Sequence, residues 1–299
     1  MKRIAVALSL LWVAHAQTAP DQEAFRISMD VDWVVLQASV HDRGGHSVPK
    51  LKQQDFAVFE DGKPQEIRLF RQEDTPVTVG LVIDHSGSMR EKLADVTAGA
   101  RAFVRSSNSN DQMFVVNFNE RVSLGLPVGM QFSDSAGQLG DAIWSLEARG
   151  TTALYDAVIE ALERVRKGSS DKKVLLVISD GGDNASRARL DQVLKMAEQS
   201  NTTIYTIGIF DPDDSDKNPR VLSRLARESG GEAFFPHQID KTVQICERIA
   251  RDIRDQYTIG YVSTKNKDGA YHKVRLAARP EGSEKLSVRT RAGYSAAAK

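Results

Sequence analysis

Two apolar runs of this 299-residue chain end in an aspartate: VTVGLVI leads into Asp84 and KVLLVIS into Asp180. The first continues as Asp84-His85-Ser86-Gly87-Ser88 and the second as Asp180-Gly181-Gly182, while Gly150-Thr151-Thr152-Ala153-Leu154-Tyr155-Asp156 lies between them and opens a helical stretch. Hydroxyl and carboxylate oxygens are hard donors, suited to Mg²⁺, which takes an octahedral shell and keeps some of its waters. Ser86 and Ser88, two apart on one turn, can point their hydroxyls at the same ion.

The elements that must position these residues are legible in the hydropathy pattern. From Pro76 onward VTVGLVID, QMFVVNF, KVLLVISD and TTIYTIGIF are continuous apolar runs, as expected of strands covered on both faces. KLADVTAGARAFVRSS, ALYDAVIEALERVR, RLDQVLKMAEQ, VLSRLARESGG and the stretch through Cys246 read as helices between and after them. Strands alternating with helices imply an α/β fold with a doubly wound, mainly parallel sheet, and ligands of such sheets bind in loops at the carboxyl ends of the strands. Asp84 and Asp180 stand at that end.

On either side the period changes to two. Phe25 to Val35 alternates and then slips phase to Leu36, Ala38 and Val40, which reads as a strand with a bulge near Val34. DFAVFEDGKPQEIRLF places Asp61-Gly62 as a hairpin turn between two alternating runs. After Asp255, YTIGYVS, HKVRLAA and KLSVRTR are separated by turns at Lys267-Asp268-Gly269 and Pro280-Glu281-Gly282. Neither flank has enough strands for a core of its own. They are expected to pair into a small β-sandwich-like module, residues 17–74 with 256–299, around an inserted domain at 75–255.

The 40 basic and 40 acidic residues cancel, so no overall field favours nucleic acid or an anionic membrane. Lys2-Arg3, the apolar run Ile4 to Val13 and Ala14-His15-Ala16 predict an export signal over residues 1–16. That run is shorter than the roughly 18–20 apolar residues of a spanning helix, so no membrane span is expected after cleavage. With one cysteine, Cys246, no internal disulfide framework exists, and its helical setting points to packing. A periplasmic or secreted protein is expected.

Taken together, the D-x-S-x-S turn, the threonine loop and the S-D-G turn resemble the von Willebrand factor type A domain, from about Thr78 to Asp255. The flanks, with the closing RTRAGY, resemble exported bacterial proteins described as acidobacterial von Willebrand type A-related. The resemblance implies a metal-ion-dependent adhesion site of Asp84, Ser86, Ser88, Thr152 and Asp180. In it the hydroxyls bind Mg²⁺ (or Mn²⁺ or Ca²⁺) directly, the aspartates act largely through water and through hydrogen bonds to the serines, and a protein partner supplies a carboxylate. The family pattern G-x-T-x-L selects Thr152, with Thr151 as the fallback. His85 is expected exposed beside the site, and with Thr151, Gly181 and Asp183 is a candidate partner contact. Asp156 is expected to support the site from the first turn of its helix.

The residues also admit blander readings. Ser86 and Ser88 could merely cap the following helix, which the agreement of three loops argues against. Asp183, Asn184 and the acidic run Asp211-Pro212-Asp213-Asp214-Ser215-Asp216 read as solvated loops, the run lacking the Gly and spaced Glu of a calcium loop. The phosphatase pattern would need an aspartate where Ser86 stands, and G-x-S-x-G and phosphate-loop motifs are absent around these strands. Cation-dependent protein binding without catalysis is therefore expected. The alternatives are a constitutive assembly subunit whose metal stabilises the fold and, more distantly, a metal-dependent hydrolase.

Overall fold

The computed structural model describes residues 33–72, 74–144, 147–210, 216–265, 268–280 and 286–296. The expected export signal, the alternation from Phe25 to Asp32, most of the acidic run from Asp211 and the Glu281-Gly282 turn lie outside these residues.

Among the described residues, four strands precede the central sheet: β1 Trp33–His41, β2 Phe56–Glu60, β3 Lys63–Gln65 and β4 Leu69–Arg71. The sheet itself comprises β5 Val77–Asp84, β6 Gln112–Phe118, β7 Val122–Leu124, β8 Lys172–Ser179, β9 Thr203–Gly208 and β10 Ala233–Phe234, in the order β10-β9-β8-β5-β6-β7. All pairings are parallel except that of the edge strand β7. Every residue of β5 and β9 is buried, which is why these runs show no polar alternation. Among the described residues, six helices are joined to the sheet: α1 Leu93–Ser106, α2 Ala136–Ile143, α3 Leu154–Val165, α4 Leu190–Ser200, α5 Pro219–Ser229 and α6 Thr242–Arg254. Their buried stripes share one apolar cluster with the strands, including Leu81, Phe103, Phe114, Leu162, Leu176 and Ile249. The protein is thus mixed α/β with a mainly parallel central sheet. Cys246 packs in this cluster, and burial pushes its thiol up to about 12, which keeps it protonated and unreactive.

Helix α2 was not apparent in the sequence. Ser135 caps it through the Gln138 N–H at 3.4 Å, yet it has only eight residues, too few for a 3.6-residue period to stand out.

After α6 come β11 Tyr257–Val262, β12 Tyr271–Ala278, β13 Ser287–Arg289 and β14 Gly293–Ser295. They interleave with β1 to β4 in two four-stranded sheets, β13-β1-β11-β4 and β14-β12-β2-β3, which share one apolar cluster including Leu36, Phe56, Tyr257, Ile259 and Leu276. Two expectations change here. First, β1 carries no bulge at Val34, since its pairing with β11 runs unbroken from Trp33↔Val262 to Ala38↔Tyr257. Val34, Leu36, Ala38 and Val40 face the shared cluster, while on the opposite face Trp33 is exposed and Val35 half-buried and only Gln37, Ser39 and His41 are buried, with Ser39 accepting from Gln256 and His41 lying 3.3 Å from Asp252 of α6. The apparent change of phase arises because Trp33 and Val35 are apolar residues on the face turned away from the cluster. Second, only Lys63–Gln65 returns along β2 after the Asp61-Gly62 turn, whereas Leu69–Arg71 crosses to the other sheet and pairs with β11.

This pairing yields a first prediction. A fragment of residues 17–71, expressed alone, should be unfolded by circular dichroism, because β1 and β2 find long partners only in β11 and β12. A cooperative unfolding transition in that fragment would contradict this.

Candidate metal centre

Asp84 ends β5 and is fully buried. Its Oδ1 accepts the Ser86 N–H at 2.8 Å, which bends the chain into the Ser86-Gly87-Ser88 turn, and its Oδ2 accepts the Ser179 hydroxyl at 2.6 Å. Ser86 is buried and Ser88 exposed, with their hydroxyl oxygens 3.1 Å apart. The Ser88 hydroxyl donates to Asp180 Oδ2 at 2.5 Å. Asp180 is held from its other oxygen by the Gly182 N–H at 3.0 Å, and its carbonyl accepts the Asn218 N–H at 2.9 Å. Asp84, Ser86, Ser88 and Asp180 thus come together although 92 residues separate the last two.

The threonine loop is fastened to both neighbours. Gly150 accepts the Gly87 N–H at 3.0 Å, joining it to the serine turn. The Thr152 N–H donates to Asn184 Oδ1 at 2.9 Å, and the Thr152 carbonyl accepts the N–H groups of Asn184 and Ala185 at 3.0 Å, joining it to the loop after Asp180. Thr152 is 6% exposed, whereas Thr151 faces solvent.

Burial, and secondarily the charge of Asp180, push the Asp84 carboxyl up to about 7. Two carboxylates brought together with low solvent access repel each other in the ionised state, and a divalent cation relieves that repulsion. The residues therefore fit a hard cation in both donor chemistry and electrostatics. Two hydroxyl oxygens at hydrogen-bonding separation can turn from each other to a common ion without backbone movement.

Several supporting residues differ from expectation. His85 is fully buried, with Nε2 3.1 Å from Asn117 Oδ1, so its ring is closed to a partner. It points inward because Asp84 and Ser86 hold the turn from either side. Gly181 is also buried: its N–H donates to Ser179 Oγ at 2.9 Å, and a Cβ there would stand 2.4 Å from the Asn218 carbonyl oxygen. It serves the backbone path rather than an outer surface. Asp183 is half-buried and turned to α3, where its Oδ1 accepts from the Tyr155 N–H at 3.1 Å and the Ser186 hydroxyl at 2.6 Å. Burial raises its carboxyl above the ordinary value. Asp156 accepts the N–H groups of Arg187 and Ala188 at 3.0 and 2.9 Å, tying α3 to the loop after Asp180. Sequence reasoning missed Ser179, whose hydroxyl bridges Asp84 and the Gly181 N–H; its place next to Asp180 was the available signal.

Residues 78–248 match the family model of the von Willebrand factor type A domain. An uncharacterized protein of Borreliella burgdorferi is 24% identical over 182 residues, 59% of this chain and 52% of its own, so the chain spans about half the length of that curated relative. Among solved structures, the von Willebrand factor type A protein from Catenulispora acidiphila superposes with a TM-score of 0.54 at 16% identity, covering 89% of this chain and 74% of that one. Proximal thread matrix protein 1 from the mussel byssus, with a zinc-occupied metal-ion-dependent adhesion motif, gives 0.53 at 17% identity, covering 65% of this chain and 50% of that one. The corresponding domain of the type V pili tip protein Mfa5 from Porphyromonas gingivalis gives 0.51 at 14% identity, with coverages of 60% and 95%. At these identities the likeness is one of fold.

Proposed function

The chain belongs to the von Willebrand factor type A domain family, and from that premise we propose that it is a cation-dependent protein-binding module of an exported protein. Domains of this family are typically interaction modules rather than enzymes, and the mussel protein bears zinc in the equivalent motif. The observation that carries the reading is the continuous chain Ser86–Ser88–Asp180 above the buried Asp84. Ser86, Ser88 and Thr152 would hold Mg²⁺ directly, with Asp84 and Asp180 orienting them. The cation supplies a Lewis-acidic position for a carboxylate of a partner protein. Ser88 and Thr151 are exposed at the loops and would face that partner. The domain at 75–255 is inserted in the β module, and the segment 1–16 directs export. Among the described residues no helix is long and apolar enough to cross a membrane.

Titration with Mg²⁺ or Mn²⁺ tests the site. Ser86→Ala and Asp180→Ala should weaken cation affinity by at least about a hundredfold. Thr152→Ala should weaken it by about tenfold or more and Thr151→Ala leave it unchanged, which separates the adjacent threonines. Equal affinity in the wild type, Ser86→Ala and Asp180→Ala would refute the site. Partner capture lost on chelation supports regulated adhesion, while capture that persists favours constitutive assembly.

A further inference from the structure

A second group of potential ligands lies outside this site, at the hairpin turn of the β module. Asp61 and Gly62 both have positive φ, 47° and 80°, the conformation of a tight two-residue hairpin. The turn sets Asp61 against His272 of β12, 211 residues away, with Oδ2 2.9 Å from the imidazole Nδ1. Glu60, the last residue of β2, is 3% exposed, and one carboxylate oxygen each of Glu60 and Asp61 and one nitrogen of His272 all lie within 4.8 Å of one another.

Two further observations give this group the character of a metal centre. His272 is 4% exposed, and its second nitrogen, Nε2, meets Asp268 Oδ1 at 3.0 Å, the carboxylate–imidazole arrangement that orients metal-bound histidines. The Tyr261 side chain is fully buried and its hydroxyl lacks a hydrogen-bond partner, while its phenol is pushed up by burial and by the adjacent Glu60 carboxylate. Its hydroxyl stands beside the Glu60 carboxylate. On the facing loop, Lys265 Nζ lies 3.2 Å from Asp61 Oδ2.

We propose that Glu60, Asp61 and His272 form a second cation site, for Zn²⁺, that joins β2 to β12. One imidazole and two carboxylates with a water make a four-coordinate set for this borderline ion. The donor atoms draw together from within 4.8 Å to the roughly 3.3–3.5 Å that separates tetrahedral ligands at about 2.0–2.2 Å from zinc. Asp61 is at an exposed turn and can make that movement, and Lys265, on the facing loop, swings out to water. The Ser263 and Tyr294 hydroxyls donate to Glu60 Oε1 and Oε2 at 2.8 and 3.2 Å and orient its carboxylate. Zn²⁺ takes the place of the proton at Nδ1. Because the ligands come from both sides of the inserted domain, the ion cross-links the two ends of the chain that build the β module.

Zn²⁺ and Co²⁺ titrations of the full chain carrying Ser86→Ala and Asp180→Ala test this. One equivalent of Zn²⁺ should still bind, and Co²⁺ should show the visible absorption of a four-coordinate site. Adding Asp61→Asn, which keeps the left-handed turn conformation accessible, or His272→Gln should weaken binding by at least about a hundredfold. Asp268→Asn should weaken it by about 10–100-fold. Thermal unfolding shows whether each variant is folded, and Asp61→Asn serves if His272→Gln is not. Loss of all stoichiometric Zn²⁺ from the Ser86→Ala/Asp180→Ala chain would overturn the proposal, as would binding indifferent to Asp61→Asn. Either result leaves the adhesion-type reading intact, since that reading depends on the difference between wild type and the Ser86 and Asp180 variants.

Discussion

Replacing Asp84 by Asn should stabilise the cation-free protein at pH 8 by up to about 4 kcal/mol and at the same time remove its response to Mg²⁺. The Asp84 carboxyl is pushed up to about 7, first by burial and then by the Asp180 charge, from an ordinary value of 3.8. The folded state therefore binds this proton more tightly than the unfolded chain does. Between about pH 4 and pH 7 the folded protein holds the proton and the unfolded chain has lost it, so the contribution of Asp84 to stability falls as pH rises. Above about pH 7 the cost is constant. An amide of the same shape keeps the acceptor for the Ser86 N–H and faces the Ser179 hydroxyl, whose lone pairs accept, without ever carrying the charge. Denaturant unfolding from pH 4 to pH 8 without divalent ions should show equal stability of the two proteins at the acid end and a widening gap above it.

The cation reverses the order. Mg²⁺ at a hundred times its dissociation constant stabilises the wild type by about 2.7 kcal/mol, and the variant gains nothing. Below about pH 7 the wild type's apparent affinity should decline by up to about tenfold per unit, as proton and cation compete. Parallel pH profiles of the two proteins, or an undiminished Mg²⁺ effect in the variant, would show that the buried charge is not held for the ion.

The second large effect is at Gly181. Gly181→Ala should lower the unfolding free energy by about 3 kcal/mol and also abolish cation binding. Its φ is +80°, which an L side chain adopts only with strain, and the added Cβ would lie 2.4 Å from the Asn218 carbonyl oxygen. Asn218 cannot yield independently. Its N–H is bound to the Asp180 carbonyl, and its side chain caps α5 through the Val221 N–H at 3.3 Å. The clash thus moves both the first turn of α5 and the carboxylate that accepts from Ser88. A partner contact at Gly181 would instead leave stability and cation affinity at wild-type values. Denaturant unfolding and Mg²⁺ titration of the one variant distinguish the two roles.

These positions illustrate what the sequence conveyed. The apolar runs before Asp84 and Asp180 identified β5 and β8 because strands buried on both faces need apolar residues at nearly every position. His85, in contrast, was read as exposed, since a polar residue in a loop carries no local record of which way it turns. Its burial follows from Asn117 on the neighbouring strand and from the tethering of the turn at Asp84. The same holds for Gly181, whose neighbour Asn218 is remote in sequence.

The sequence alone determined the α/β class, the alternation of strands and helices, and the residue types able to hold a hard cation. Hydropathic periodicity and ligand chemistry are local properties, written in neighbouring residues. Tertiary structure decided which loops meet, the inward turn of His85, the raised Asp84 carboxyl and the meeting of Asp61 with His272. Each of these depends on desolvation or on a partner far along the chain, and both arise only when the chain has packed.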